Sequence, residues 1–98
     1  MPHFHVIGRD YPGEPERRAR ERNAHLAVAK RLMGEGVLVH GGALLDDEGA
    51  MIGSMLIMNV ESRAALDALL ADDPYVKGEV WKEIEITEYR PAPCFSAA

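Results

Sequence analysis

The segment VLVHGGALLDDEGAMIGSMLIMNV, residues Val37 to Val60, decides the architecture. Two apolar runs, Val37–Leu45 and Met51–Val60, flank DDEG, a tight-turn composition, so the segment reads as a β-hairpin. Gly41 and Gly42 interrupt the first run, which predicts a bulge or a close backbone approach. The second run is nearly all apolar, as expected of a strand buried on both faces.

A helical pattern lies on either side of this hairpin. Before it, Ala19 to Glu35 is rich in Ala, Leu, Arg and Glu, all good helix formers. Pro15 suits the first turn of that helix, Glu14 and Glu16 its positive end, and Gly34 and Gly36 its termination. After it, Ser62 is positioned to cap a second helix through Leu70, with Leu66, Leu69 and Leu70 as its core stripe. The two ends of the chain alternate as strands do. Phe4 and Val6 share one side of the first, with His3, His5 and Ile7 opposite. In Val80–Tyr89, Val80, Lys82, Ile84 and Ile86 oppose Trp81, Glu83, Glu85, Thr87 and Tyr89. The order β-α-β-β-α-β predicts an α+β, ferredoxin-like domain over residues 1–90, followed by a tail over 91–98. Its four-stranded antiparallel sheet carries both helices on one face. The other face is left open, and a doubly buried third strand needs a cover, which predicts a homodimer.

The chain has 98 residues, enough for one small domain, and a net charge of -5. That balance argues against a nucleic-acid partner, which needs a basic footprint, and gives no reason to expect an anionic membrane surface. No run approaches the length of a membrane span, and the first residues lack a secretory pattern. Cys94 is the single cysteine, so no intrachain disulfide is expected, and the chain is read as cytoplasmic. No phosphate-binding glycine loop is present, since the glycines of HGG lie within a strand; no cofactor is expected.

On a helical wheel, Arg22, Leu26, Ala29 and Met33 fall in one arc, with His25 and Leu32 on its flank. A guanidinium in a packing stripe is costly unless it reaches water at an open end or meets an anion there. Asp73 precedes Pro74 and must therefore be extended. It is either the cap of a new helical turn or a carboxylate aimed at His25, where it would fix the imidazole tautomer. Met51, Met55 and Met58 read as core or interface, and Trp81 with Tyr89 as a dimer rim. His3 and His5 form no ligand set with a carboxylate at matching spacing, so no metal is expected, and Cys94 has no neighbouring base.

Arg22-x-x-His25-Leu26, Gly41-Gly42, Gly53-Ser54 and Asp73-Pro74-Tyr75, in this order, resemble the YciI-like (YCII-related) family over Met1–Tyr89. The resemblance implies a ferredoxin-like subunit that pairs into a dimeric α+β barrel. It also implies an enzyme with a His–Asp pair, at His25 and Asp73 here. The chain departs from many relatives at Gly42-Ala43, where they carry Gly-Pro, and in the short LLDDEGAM loop. The expected chemistry is proton transfer on a small anionic molecule: isomerisation, hydrolysis or elimination. His25 and Asp73 would act on the proton, with Arg22 on the anion and Ser54 and Tyr75 as hydrogen-bonding groups. A ligand-binding or regulatory dimer without turnover is the alternative. A cofactor-free oxygenase, with Trp81 and the histidines lining its pocket, is a further one.

Overall fold

The computed structural model describes residues 1–95. It contains β1 (His3–Asp10), α1 (Pro15–Gly34), β2 (Leu38–Leu45), β3 (Met51–Asn59), α2 (Arg63–Asp72), the single turn α3 (Pro74–Lys77) and β4 (Trp81–Tyr89). A short 3-10 turn, Pro93–Phe95, follows; the rest of the expected tail, 96–98, lies outside the described residues. The strands form one antiparallel sheet in the order β2-β3-β1-β4.

Local chemistry sets the element ends. Pro15 opens α1, and Gly36, at φ 76°, returns its N–H to the Met33 carbonyl. Ser62 Oγ accepts the Ala65 N–H at 3.0 Å and caps α2. Asp46 organises the hairpin turn: its Oδ1 accepts the N–H groups of Glu48 and Ala50, both at 2.9 Å, while Gly49 takes φ 84°.

The core lies between the sheet and the helices. Phe4 and Val6 of β1 and Leu56 and Met58 of β3 meet Leu32, Leu66, Leu70 and Tyr75. The opposite sheet face presents His5, Ile7, Met55 and Ile57 beside the Arg9–Glu85 ion pair, and none of these six strand positions is fully buried. β3 is therefore buried on one face only within the subunit, and Met51 and Ile52 at its start are exposed. The uncovered face is the one on which the sequence reading places a second copy of the chain.

One expectation resolves to the second of its two alternatives, and two others change. The irregularities in β2 fall between Leu38 and His40 and between Leu44 and Leu45, not at the glycine pair. Gly41 instead makes a close approach, since a Cβ there would stand 3.2 Å from Leu56 Cδ2. Trp81 does not join Glu83 and Glu85. A register shift at Arg9/Asp10 pairs Asp10 with Trp81 after Arg9 has paired with Glu83, which skips Lys82 and reverses the parity. Trp81 is buried and lies over Gly8. In α1 the buried positions are Arg18, His25 and Leu32, whereas Leu26 and Met33 are exposed. The arc read as the packing stripe faces a cavity instead.

A Cβ on Gly8 would overlap the Trp81 indole. Gly8→Ala should destabilise the domain by about 1–3 kcal/mol through overpacking. The readout is a lower urea midpoint at unchanged m-value, with a shifted emission from Trp81, the single tryptophan.

Candidate active site

Arg18, His25 and Leu32 are spaced seven residues apart, so they drift only ~20° per step around the helix and share one buried face. Each polar member of that row has a built environment. The Arg18 guanidinium donates from Nε to Asp10 Oδ2 at 2.7 Å and from Nη2 to Asp10 Oδ1 at 2.9 Å, a two-point ion pair. Nη2 also donates to Ser54 Oγ at 2.9 Å, and Nη1 makes a long 3.5 Å contact to Tyr75 Oη. The guanidinium carbon stands 4.8 Å from the Tyr75 ring centroid. Burial works against the Arg18 charge, but the bonds and negative charge of Asp10, with a smaller part from Tyr75, outweigh it and raise its pKa.

His25 is held from two sides. Its Nδ1 lies 2.8 Å from Asp73 Oδ1, and its ring stacks on Tyr75 with centroids 3.8 Å apart at 6°. Trp81 meets both rings edge-on, at 6.0 Å from His25 and 5.6 Å from Tyr75. The same Asp73 oxygen accepts the Tyr75 N–H at 2.8 Å, so Asp73 caps α3 and also reaches the imidazole. His25 Nε2 has no hydrogen-bond partner among the described residues and is not sealed from solvent.

A cavity of about 530 Å³ opens between α1 and β2. His25, Ser54, Tyr75 and Arg18 stand in its wall, with Arg22 exposed at its rim. Arg22 makes no ion pair among the described residues. Burial raises the Tyr75 pKa above its ordinary 10.0, against the opposing pull of Arg18 and Arg22, so the phenol is neutral near pH 7. Arg18 and Asp10 were not among the residues that sequence reasoning selected. The seven-residue spacing from Arg18 to His25 was the available signal for the first; nothing in the sequence marks Asp10. His3 lies outside this site and meets Tyr89 edge-on at 5.8 Å. Among the described residues no group of three or more His, Cys, Asp or Glu is arranged to hold a metal. None of their helices is long and apolar enough to cross a membrane.

With this geometry in place, the sequence matches the YCII-related domain over residues 3–90. The chain belongs to that family. An uncharacterized protein of Haemophilus influenzae is 29% identical over 94 residues, covering 90% of this chain and 96% of that protein. The solved structure of 5-chloro-2-hydroxyhydroquinone dehydrochlorinase from Burkholderia phenoliruptrix, in complex with 2,5-dihydroxybenzoquinone, superposes with a TM-score of 0.82. It shares 26% identity and covers 92% of this chain and 95% of its own. A NIPSNAP family protein of Agrobacterium tumefaciens shares the fold at a TM-score of 0.57 and 20% identity, covering 97% of this chain and 95% of its own.

Two predictions test how this YCII-related site is held together. Asp10→Asn leaves the Arg18 charge buried without its counter-charge and should cost about 3–5 kcal/mol of unfolding free energy. Replacing both, as Arg18→Met with Asp10→Leu, should recover most of that loss. Denaturant titration of the three proteins checks both statements. A raised Tyr75 pKa means that the folded state holds its proton more tightly than the unfolded state does. Its contribution is complete below about pH 10 and is lost as pH rises through the folded value. Stability measured from pH 9 upward should therefore fall less steeply in Tyr75→Phe than in the parent protein.

Proposed function

We propose that this YCII-related protein is an enzyme that moves a proton on a small, hydroxylated, anionic molecule, with elimination as the reaction that best suits the site. The observation that carries this reading is the 2.8 Å contact between His25 Nδ1 and Asp73 Oδ1, in a cavity wall, with Nε2 left open. An imidazole that donates from Nδ1 to a carboxylate keeps its lone pair on Nε2. That nitrogen takes the proton from a substrate hydroxyl. In the keto tautomer of such a ring, whose sp³ carbon carries both a hydrogen and the leaving group, the oxygen's electron pair then forms a carbonyl, the neighbouring C=C shifts toward that carbon, and the leaving group departs with its own electron pair. The imidazolium so formed sits against the Asp73 carboxylate, and its proton passes to solvent.

The anionic oxygen is assigned to Arg22, whose guanidinium has no protein partner among the described residues. Ser54 Oγ already accepts from Arg18, which leaves its O–H to donate to substrate, and the neutral Tyr75 phenol is a second donor. The Burkholderia relative supports the choice of elimination. It is a dehydrochlorinase of a chlorinated hydroxyhydroquinone, and its bound ligand is a small oxygenated ring. The proposal includes a homodimer formed through the sheet face that carries Ile7, Met55 and Ile57.

The test is chloride release from chlorinated hydroxyhydroquinones. His25→Ala should lower kcat/KM by about 10²–10⁴ while keeping the native circular dichroism spectrum. Asp73→Asn keeps an acceptor for both N–H groups but removes the charge, so it should lose rate with little loss of stability. A folded His25→Ala protein with undiminished turnover would eliminate the mechanism. Binding without turnover across the panel would assign the chain to the ligand-binding alternative.

A further inference from the structure

The cavity holds more than the proposed chemistry uses. The reacting end occupies only His25, Ser54, Tyr75 and Arg22. Beyond them the walls are mainly apolar, with Lys30 and His40 also in the lining, and four of the large exposed hydrophobic side chains of the molecule converge there: Leu26, Met33, Val39 and Met51. Leu26 and Met33 are 46% and 61% exposed on a helix whose packed face is elsewhere. They are seven residues apart, about 10 Å along the helix axis, so this wall runs well past the width of one ring. Across from it, Gly41 contributes no side chain to the β2 wall. The volume, about 530 Å³, is several times the ~150 Å³ that encloses a benzene molecule. No aspartate or glutamate lines the cavity, although the chain carries 16 acidic against 11 basic residues.

We infer that the substrate is amphipathic: an anionic hydroxylated ring held at His25 and Arg22, bearing an apolar substituent that lies along Leu26, Met33, Val39 and Met51. The inference rests on the proposed site. It commits the apolar wall to the same molecule that reacts, because wall and reacting groups share one continuous cavity.

The probe is 2,5-dihydroxybenzoquinone with its 3-methyl, 3-propyl and 3-pentyl derivatives, with binding measured by titration calorimetry. In the parent protein each added methylene should tighten Kd about fourfold until the cavity is filled, the factor expected for burying one CH₂ group. The double variant Leu26→Gln, Met33→Gln changes exposed positions and should fold normally. It should bind the unsubstituted compound within about twofold of the parent protein yet lose at least tenfold on the pentyl derivative, a loss of two or more methylene increments. A flat series in the parent protein overturns the inference. So does equal weakening of both ligands in the variant, or no binding by any member of the series. A change from dimer to monomer in the variant, read by sedimentation, also overturns it by assigning the stripe to a subunit contact. His25→Ala separates the two proposals. Undiminished turnover with an intact methylene series removes only the mechanism, and lost turnover with a flat series removes only the amphipathic substrate.

Discussion

One carboxylate oxygen ties the helix layer to the site. Pro74 forces Asp73 into an extended conformation, φ -69° and ψ 132°, between α2 and α3. From there Oδ1 meets two nitrogens, the Tyr75 N–H and His25 Nδ1, each at 2.8 Å. The first contact starts α3 and thereby aims the Tyr75 ring. The second fixes the imidazole that the ring then covers at 3.8 Å. Trp81 closes the cluster edge-on. Because one atom serves both purposes, the conformation of the 73–75 corner and the orientation of His25 are a single constraint.

The second constraint is the Arg18–Asp10 pair. A buried ion pair loses so much hydration that it adds little net stability. Its consequence is positional. The two-point geometry leaves the guanidinium one orientation, in which Nη2 reaches Ser54 and the plane lies over Tyr75. Three segments distant in sequence, the end of β1, the middle of β3 and the start of α3, are thus registered to α1 by one side chain. The β1 irregularity at Arg9/Asp10 belongs to the same arrangement. It brings Trp81 to the helix side beside the cluster, and Asp10, just past the shift, holds Arg18.

The order of elements was legible because each carries its own local signal: alternation in β1, helix-forming composition in α1, turn composition at DDEG, and the Ser62 cap. The failures share a cause. Periodicity gives relative phase and not absolute direction. One register shift reversed Trp81, and the apolar arc of α1 was real but faced a cavity rather than the packed layer. Arg18, one turn before Arg22 on the same helix, was missed because its partners Asp10, Ser54 and Tyr75 come from distant segments. Asp73 was legible as two alternatives, a cap or a partner of His25. The structure holds both contacts at once because a carboxylate oxygen offers two lone pairs. Asp10 carried no local signal, since its partner is defined only by the folded geometry.

Charge follows from this division of labour. A chain with net charge -5 repels anions at long range, so the proposed anion-binding site must be local and must keep a cation free. Arg18 is poorly placed to be that cation: Asp10 neutralises it, and Ser54 and Tyr75 engage two of its three remaining N–H groups. Arg22, one turn farther along α1, has no partner among the described residues and stands at the cavity rim. The two arginines therefore differ in kind. The inner one fixes the wall, and the outer one is the cation that the proposed anion site uses. Lys30 adds a second rim cation, and the lining offers no carboxylate to compete. An anion entering there loses hydration against apolar walls, and in that setting a single unshielded guanidinium acts far more strongly than it would in open water.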